Sequence, residues 1–230
     1  MMDNTYQFES SKVNESSVIK NIFIWMAAGL ALTGAISHGL YTSGLVIQVI
    51  NSGLLMPLII AEFVLVFVLS RNIMKFKATT GILMFLVYSA LNGVTLSSIF
   101  LAYTSASISN TFFITAGMFA AMAFYGITTK KDLTKMGTYL FMGLIGIIIA
   151  SVINLFVGSG SLNYLISVGG VIIFTGLTAY DVQKFSRISR QIGTGEGDAA
   201  MKISIIGALN LYLDFINMFL FLLRITGRRR

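Results

Sequence analysis

The chain has 230 residues, of which 56% are hydrophobic and only 11% charged, with a net charge of +7. Soluble domains carry roughly 25% charged residues, so a water-facing surface is excluded for much of this chain, and the mean hydropathy of +0.83 points to lipid instead. The lack of cysteine excludes disulfides, thiolate catalysis and cysteine-ligated metals, and the positive charge lies in links between apolar runs rather than on a nucleic-acid face.

Residues 1–17, MMDNTYQFESSKVNESS, are polar and mixed in charge. They lack the basic n-region of a secretory signal, so a short mobile cytoplasmic tail is expected. Seven apolar runs follow, roughly 18–40, 54–70, 79–103, 111–129, 137–157, 162–182 and 203–225. Each comes near the roughly 20 residues that span a bilayer core as a helix. The expectation is an all-α integral membrane protein: a single seven-helix domain over 18–225, with 226–230 a basic tail. Pro57, the lone proline, falls in the first turn of the second run, where a missing N–H costs little. The longest polar link, 183–202, contains GTGEGD. It follows no strand and lacks the lysine of a phosphate loop, so a flexible loop is expected.

Lysine and arginine set the orientation. Lys12 and Lys20 precede or open the first run, and Arg71, Lys75 and Lys77 follow the second. Lys130, Lys131 and Lys135 follow the fourth run, and Lys184, Arg187, Arg190 and Lys202 the sixth, while the links after runs one, three and five hold none. This alternation predicts a cytoplasmic N-terminus. Arg224, Arg228, Arg229 and Arg230 lie after run seven, where a full crossing puts them outside against the rule. Either run seven re-enters, or this end is an exception, and the pattern leaves both open.

Small residues recur inside the runs: Ala27, Ala31 and Ala35, then Gly143 and Gly146, then Gly169, Gly170 and Gly176. They predict close helix–helix packing. His38, between Ser37 and Gly39, reads as a packing or interface residue rather than a metal ligand.

Charged groups inside a membrane cost at least a few kcal/mol each and persist where they face a bundle interior or an aqueous path. Three acids stand out. Glu62 lies at the middle of run two, about 12 Å from either end. Arg71, nine residues on, falls on the opposite face, so the two do not pair along one helix. Asp181 closes run six, with Thr175 and Thr178 on roughly its face. Asp214, with Asn210 and Asn217 at i, i+4 and i+7, makes a polar stripe in run seven, which places that helix inside the bundle. Asn92 adds a polar group at mid-depth in run three. One depth conflict follows: if run seven enters at Ile203, Asp214 lies roughly 16 Å in and misses Asp181 at a helix end. The bland alternative is that these groups bond one another and fix helix register.

The motifs YSALNGVTLSSIF, FYGITTKKDLTKMG, GLTAYDVQKF and GALNLYLDFINMFLFLLR, in this order, resemble the Bax inhibitor-1 family, also called the transmembrane Bax-inhibitor-motif family. The likeness spans roughly residues 19–224. It implies six helices around a central C-terminal one, in a bacterial plasma membrane, and a calcium leak that responds to pH through a pair of aspartates. By motif match the pair is Asp181 and Asp214, and the flanking acid and base of the second helix are Glu62 and Arg71.

Calcium takes six to eight oxygen ligands, and carboxylates are its usual partners. Two carboxylates in one dry place cannot both stay ionised cheaply, and such a pair can share a proton. The expected mechanism is a pH-gated calcium leak. Asp181 and Asp214 form the gate and bind calcium transiently, with Glu62, Asn92, Asn210 and Asn217 along the cation path. The lipid bilayer and calcium are the expected partners, with no resident cofactor. The alternative is a regulatory membrane protein that binds and restrains another one, such as a protease or a cell-death regulator. An enzyme is not expected: no histidine–carboxylate metal cluster and no serine beside a base is evident. The GxGD-type motif of intramembrane aspartyl proteases is absent, since Asp181 follows Ala-Tyr and Asp214 follows Tyr-Leu.

Overall fold

In lipid the backbone must satisfy its own N–H and C=O groups, and a long apolar stretch with a single proline does so as α-helix. The computed structural model describes residues 3–192 and 197–230, with side chains for 17–191 and 197–230. Its helices are α1 (Asp3–Thr42), α2 (Leu45–Asn51), α3 (Leu55–Asn72), α4 (Ala78–Leu96), α5 (Ile99–Ala102), α6 (Ser105–Thr128), α7 (Thr134–Val157), α8 (Gly160–Ile192) and α9 (Asp198–Thr226), with a 3-10 turn at Ile73–Lys75. Among the described residues there is no strand. Seven stretches of the described residues are long and apolar enough to cross a membrane: Ser17–Thr42, Leu55–Lys75, Ala78–Ala102, Ser105–Thr128, Thr134–Val157, Gly160–Gln191 and Asp198–Thr226. The expected seven-helix membrane bundle is what the chain forms.

Two boundaries differ from expectation. The backbone is already helical from Asp3, so the polar tail continues α1. A short helix, α2, occupies the first link, entered through Gly44, whose φ of 76° favours glycine. Pro57 does sit in the first turn of α3.

The chain divides into two compact units. The first comprises Met1–Ala102 and Phe185–Tyr212, the second Tyr103–Lys184 and Leu213–Arg230. In the first unit α1 packs on α4 so closely that a Cβ at Gly29 would lie 2.6 Å from Phe85 Cζ. The face of α1 that turns inward is Ile22, Met26, Gly29, Thr33 and Ser37, whereas Ala27, Ala31 and Ala35 are exposed. The alanine stripe is therefore not the packing face. Two stripes of helical spacing compete on α1, and the one with hydroxyls wins because Thr33 finds polar partners in the core. In the second unit the glycines behave as expected: Gly170 backs onto the ring of Phe221, and a Cβ at Gly176 would lie 2.7 Å from Leu140 Cδ1. Gly146 is the exception and faces open space.

Much of the polar stretch 183–202 is helix rather than loop. α8 runs through it to Ile192, and α9 begins at Asp198; residues 193–196 of GTGEGD lie outside the described ones. The extension holds because it is amphipathic: Val182, Phe185, Ser186 and Ser189 are buried while Arg187 and Arg190 are exposed. Asp181 thus sits about 16 Å before the end of its helix, and Asp214 about 24 Å beyond the start of its own. The helical extension of α8 thus roughly halves the depth mismatch expected from the sequence, from about 16 Å to about 8 Å.

α9 buries 61% of its apolar window, against 0% for Thr134–Val157. Its start is tied to the turn before α4: Asp198 Oδ1 accepts from Ala78 N at 2.7 Å, and Lys202 Nζ donates to Met74 O at 3.4 Å. Its end is tied to the start of α6. Thr104 N donates to Arg228 O at 3.1 Å, Arg228 N to Ser107 Oγ at 3.0 Å, and Thr111 and Thr226 hydroxyls lie 3.2 Å apart. The stretch Asp198–Thr226 is itself long and apolar enough for a full crossing. A cysteine at Lys130, beyond the far end of α6, and one at Arg230 should therefore react with an impermeant thiol reagent from opposite sides of the membrane. Labelling of both from one side overturns this topology.

Candidate functional site

Both aspartates belong to the second unit. Asp181 on α8 is 8% exposed and Asp214 on α9 is 5% exposed. Oδ2 of Asp214 is buried without a hydrogen-bond partner among the described residues. The charges acting on Asp214 are those of Asp181 first and Lys184 second. Lys184 Nζ lies 3.7 Å from Asp181 Oδ1, one helical turn away on the α8 extension. Phe215 and Phe219, on the turns around Asp214, stack edge-on with Phe112, and Phe215 also with Phe119.

The threonines of α8 contribute less than their spacing implies. Thr178 donates to Phe174 O at 2.8 Å and Thr175 to Val171 O at 2.6 Å, with Met218 Sδ on α9 a second, weaker acceptor 3.8 Å from Thr175 Oγ1. Asn217 likewise donates within its own helix, to Leu213 O at 2.8 Å. Asn210 is half-buried and belongs to the first unit. The stripe of α9 is thus centred on Asp214, whose carboxylate keeps an open acceptor.

Glu62 heads a second polar cluster, inside the first unit. Its Oε1 accepts from Thr95 Oγ1 at 2.8 Å, and that hydroxyl lies 3.0 Å from Asn92 O. Asn92, buried, donates through Nδ2 to Tyr88 OH at 3.1 Å. The Tyr88 and Tyr212 rings meet edge-on at 5.7 Å. Thr33 Oγ1 donates to Ser89 O at 2.8 Å and lies 2.7 Å from Tyr212 OH. A hydroxyl has a single proton to give, so Tyr212 is the donor to Thr33. The line from Glu62 to Thr33 therefore runs through α3, α4, α9 and α1.

The structure brings Asp181 and Asp214 into one unit, and Glu62 and Asn92 into the other. Arg71 also lies in that first unit, exposed at the end of α3 with its guanidinium 5.9 Å above the Phe67 ring. Sequence reasoning missed Lys184 as a base beside Asp181, because it read 183–202 as a loop. It also missed Thr33, Tyr88, Thr95 and Tyr212. Tyr88, Asn92 and Thr95 at i, i+4 and i+7 could have signalled the cluster.

Among the described residues no three histidines, aspartates or glutamates gather to hold a metal ion.

The sequence model described as "Inhibitor of apoptosis-promoting Bax1" matches residues 15–230. The chain is similar to the inner membrane protein YbhL of Escherichia coli K12, 50% identical over 211 residues that cover 91% of this chain and 90% of that protein. It is 45% identical over 232 residues to an uncharacterized protein of Borreliella burgdorferi, covering 100% and 99%. An uncharacterized membrane protein of Streptococcus pyogenes serotype M1 is 37% identical over 235 residues, covering 99% of each.

Proposed function

Because the chain belongs to the family of inhibitors of apoptosis-promoting Bax1, a multi-pass membrane family, we propose that it is a pH-gated calcium leak whose gate is the pair Asp181 and Asp214. The observation that carries this reading is the buried, unpartnered Oδ2 of Asp214, with the charge of Asp181 acting on the same carboxylate. An uncompensated acceptor in a dry interior is costly. A proton shared with Asp181 satisfies it and ties α8 to α9, which closes the path. When that proton leaves, the two carboxylates repel, the helices loosen, and the freed oxygens offer a divalent cation a transient site. Lys184, beside Asp181, compensates one of the two charges in that open state. Glu62, with Thr95 and Asn92 around it, is the proposed resting point for a cation at mid-depth. In the same scheme the N-terminus is cytoplasmic, which puts Lys130, Lys131 and Lys135 inside, and the membrane is a bacterial plasma membrane.

The test is calcium flux from purified protein in proteoliposomes. The leak should rise with pH across about pH 5 to pH 8, as the shared proton is lost. The family description, an inhibitor, favours a second reading in which the protein restrains a membrane-protein partner. Pure proteoliposomes contain no partner, so a leak from them supports the channel, and its absence at every pH supports the restraint.

A further inference from the structure

The motif FYGITTKKDLTKMG has no part in the gate as described, yet the structure builds its turn directly onto the stretch of α8 that bears Asp181. Gln183 makes the join. It is 8% exposed, its Oε1 accepts from Leu133 N at 2.9 Å, and its Nε2 donates to Lys131 O at 2.8 Å. Both ends of the amide are used, and both partners are backbone of the turn between α6 and α7. The pairing also fixes which end is oxygen, since a flipped amide would set donor against donor and acceptor against acceptor.

The turn needs this partner. Leu133 stands where α7 begins and supplies no side-chain cap of its own. Its N–H is one of the orphan donors of a helix start. Asp132 Oδ1 takes the next, Thr134 N, at 2.9 Å. Gln183 takes Leu133's. On the near side of Asp181 the packing leaves no slack: a Cβ at Gly126 would lie 2.5 Å from Ala179 O, and one at Gly137 2.5 Å from the Tyr180 ring. Residues 179, 180 and 183 thus hold the turn on both sides of Asp181, so that Asp181 cannot shift without carrying the turn or breaking the amide bonds.

We infer that Gln183 is a positioning residue of the gate, which locks the α6–α7 turn to α8 and so holds Asp181 in its closed-state place. This rests on the leak function proposed above. The charged groups around the lock are Asp181 and Lys184 on α8, Asp214 on α9, and Lys130, Lys131, Asp132 and Lys135 on and beside the turn. The lock itself is uncharged. It changes how firmly the closed arrangement is held and removes no titrating group.

Gln183→Met keeps the length and bulk of the side chain and deletes both hydrogen bonds. Its leak at the acidic end of the profile should rise about fivefold, with the midpoint displaced to lower pH and the pH dependence retained. A spin label at Lys130→Cys in the same background should become more mobile. Gln183→Asn, which is too short to bridge, should do the same and serves if the Met variant does not stay monodisperse in detergent. A more mobile label with a wild-type leak profile overturns the inference, because Gln183 is then only a cap for α7. An unchanged label and profile overturns it as well. If the parent protein's own leak is flat with pH, the gating function falls first, and this role falls with it.

Discussion

Changing Asp214 to Asn should reduce the pH dependence of the calcium leak to less than about twofold between pH 5 and pH 8. Asn keeps the shape of the side chain in a site where Asp214 is 5% exposed, but it cannot share a proton with a carboxylate in the same way. Asp181 is left with Lys184 as its charge partner, 3.7 Å away, and no twin to repel. The step that couples proton loss to helix separation is gone. Calcium also loses one of two carboxylate ligands. Asp181→Asn should flatten the profile in the same manner, and since the two residues act as one device, the double change should add little to either single one. Calcium influx into proteoliposomes carrying each variant is the measurement. An unaltered midpoint and slope in both single variants would falsify proton sharing and leave the aspartates as structural polar groups.

Glu62→Gln should act differently, lowering flux about tenfold at every pH, the equivalent of roughly 1.4 kcal/mol on the rate-limiting barrier. Gln can still accept from Thr95 Oγ1, which Glu62 Oε1 does at 2.8 Å, so the cluster on α4 keeps its geometry. What is lost is the negative charge that offsets the cost of a cation at mid-depth. The midpoint should stay in place, because the change leaves both aspartates of the proton-sharing pair intact. A displaced midpoint with undiminished flux makes Glu62 part of the sensor and removes it from the cation path.

The spans were legible because hydropathy is a property of each residue alone, and seven long apolar runs leave the backbone little alternative to seven helices. The acids were legible for the same reason: Glu62, Asp181 and Asp214 violate the composition of their runs. What was not legible depends on pairs. The α8 extension has the hydropathy of a loop, and only the partners of Phe185, Ser186 and Ser189 make it a helix. On α1, alanines and hydroxyls compete for the core, and the outcome turns on Tyr212, 179 residues away, meeting Thr33. Gln183 looks like one polar residue among many until Lys131 O and Leu133 N are found at its two ends.

The burial of α9 has a consequence for how the protein is made. Of the seven spans, the one that supplies Tyr212 and Asp214 is the last to be synthesised. Until it arrives, the nascent chain holds Thr33 without its phenol partner and Gly170 without the ring of Phe221. A translating ribosome that stalls or terminates before Asp198 thus leaves a product whose Thr33 hydroxyl and Gly170 face lack their partners in the finished fold. Completion of α9 is then the step that supplies both units with residues they pack on.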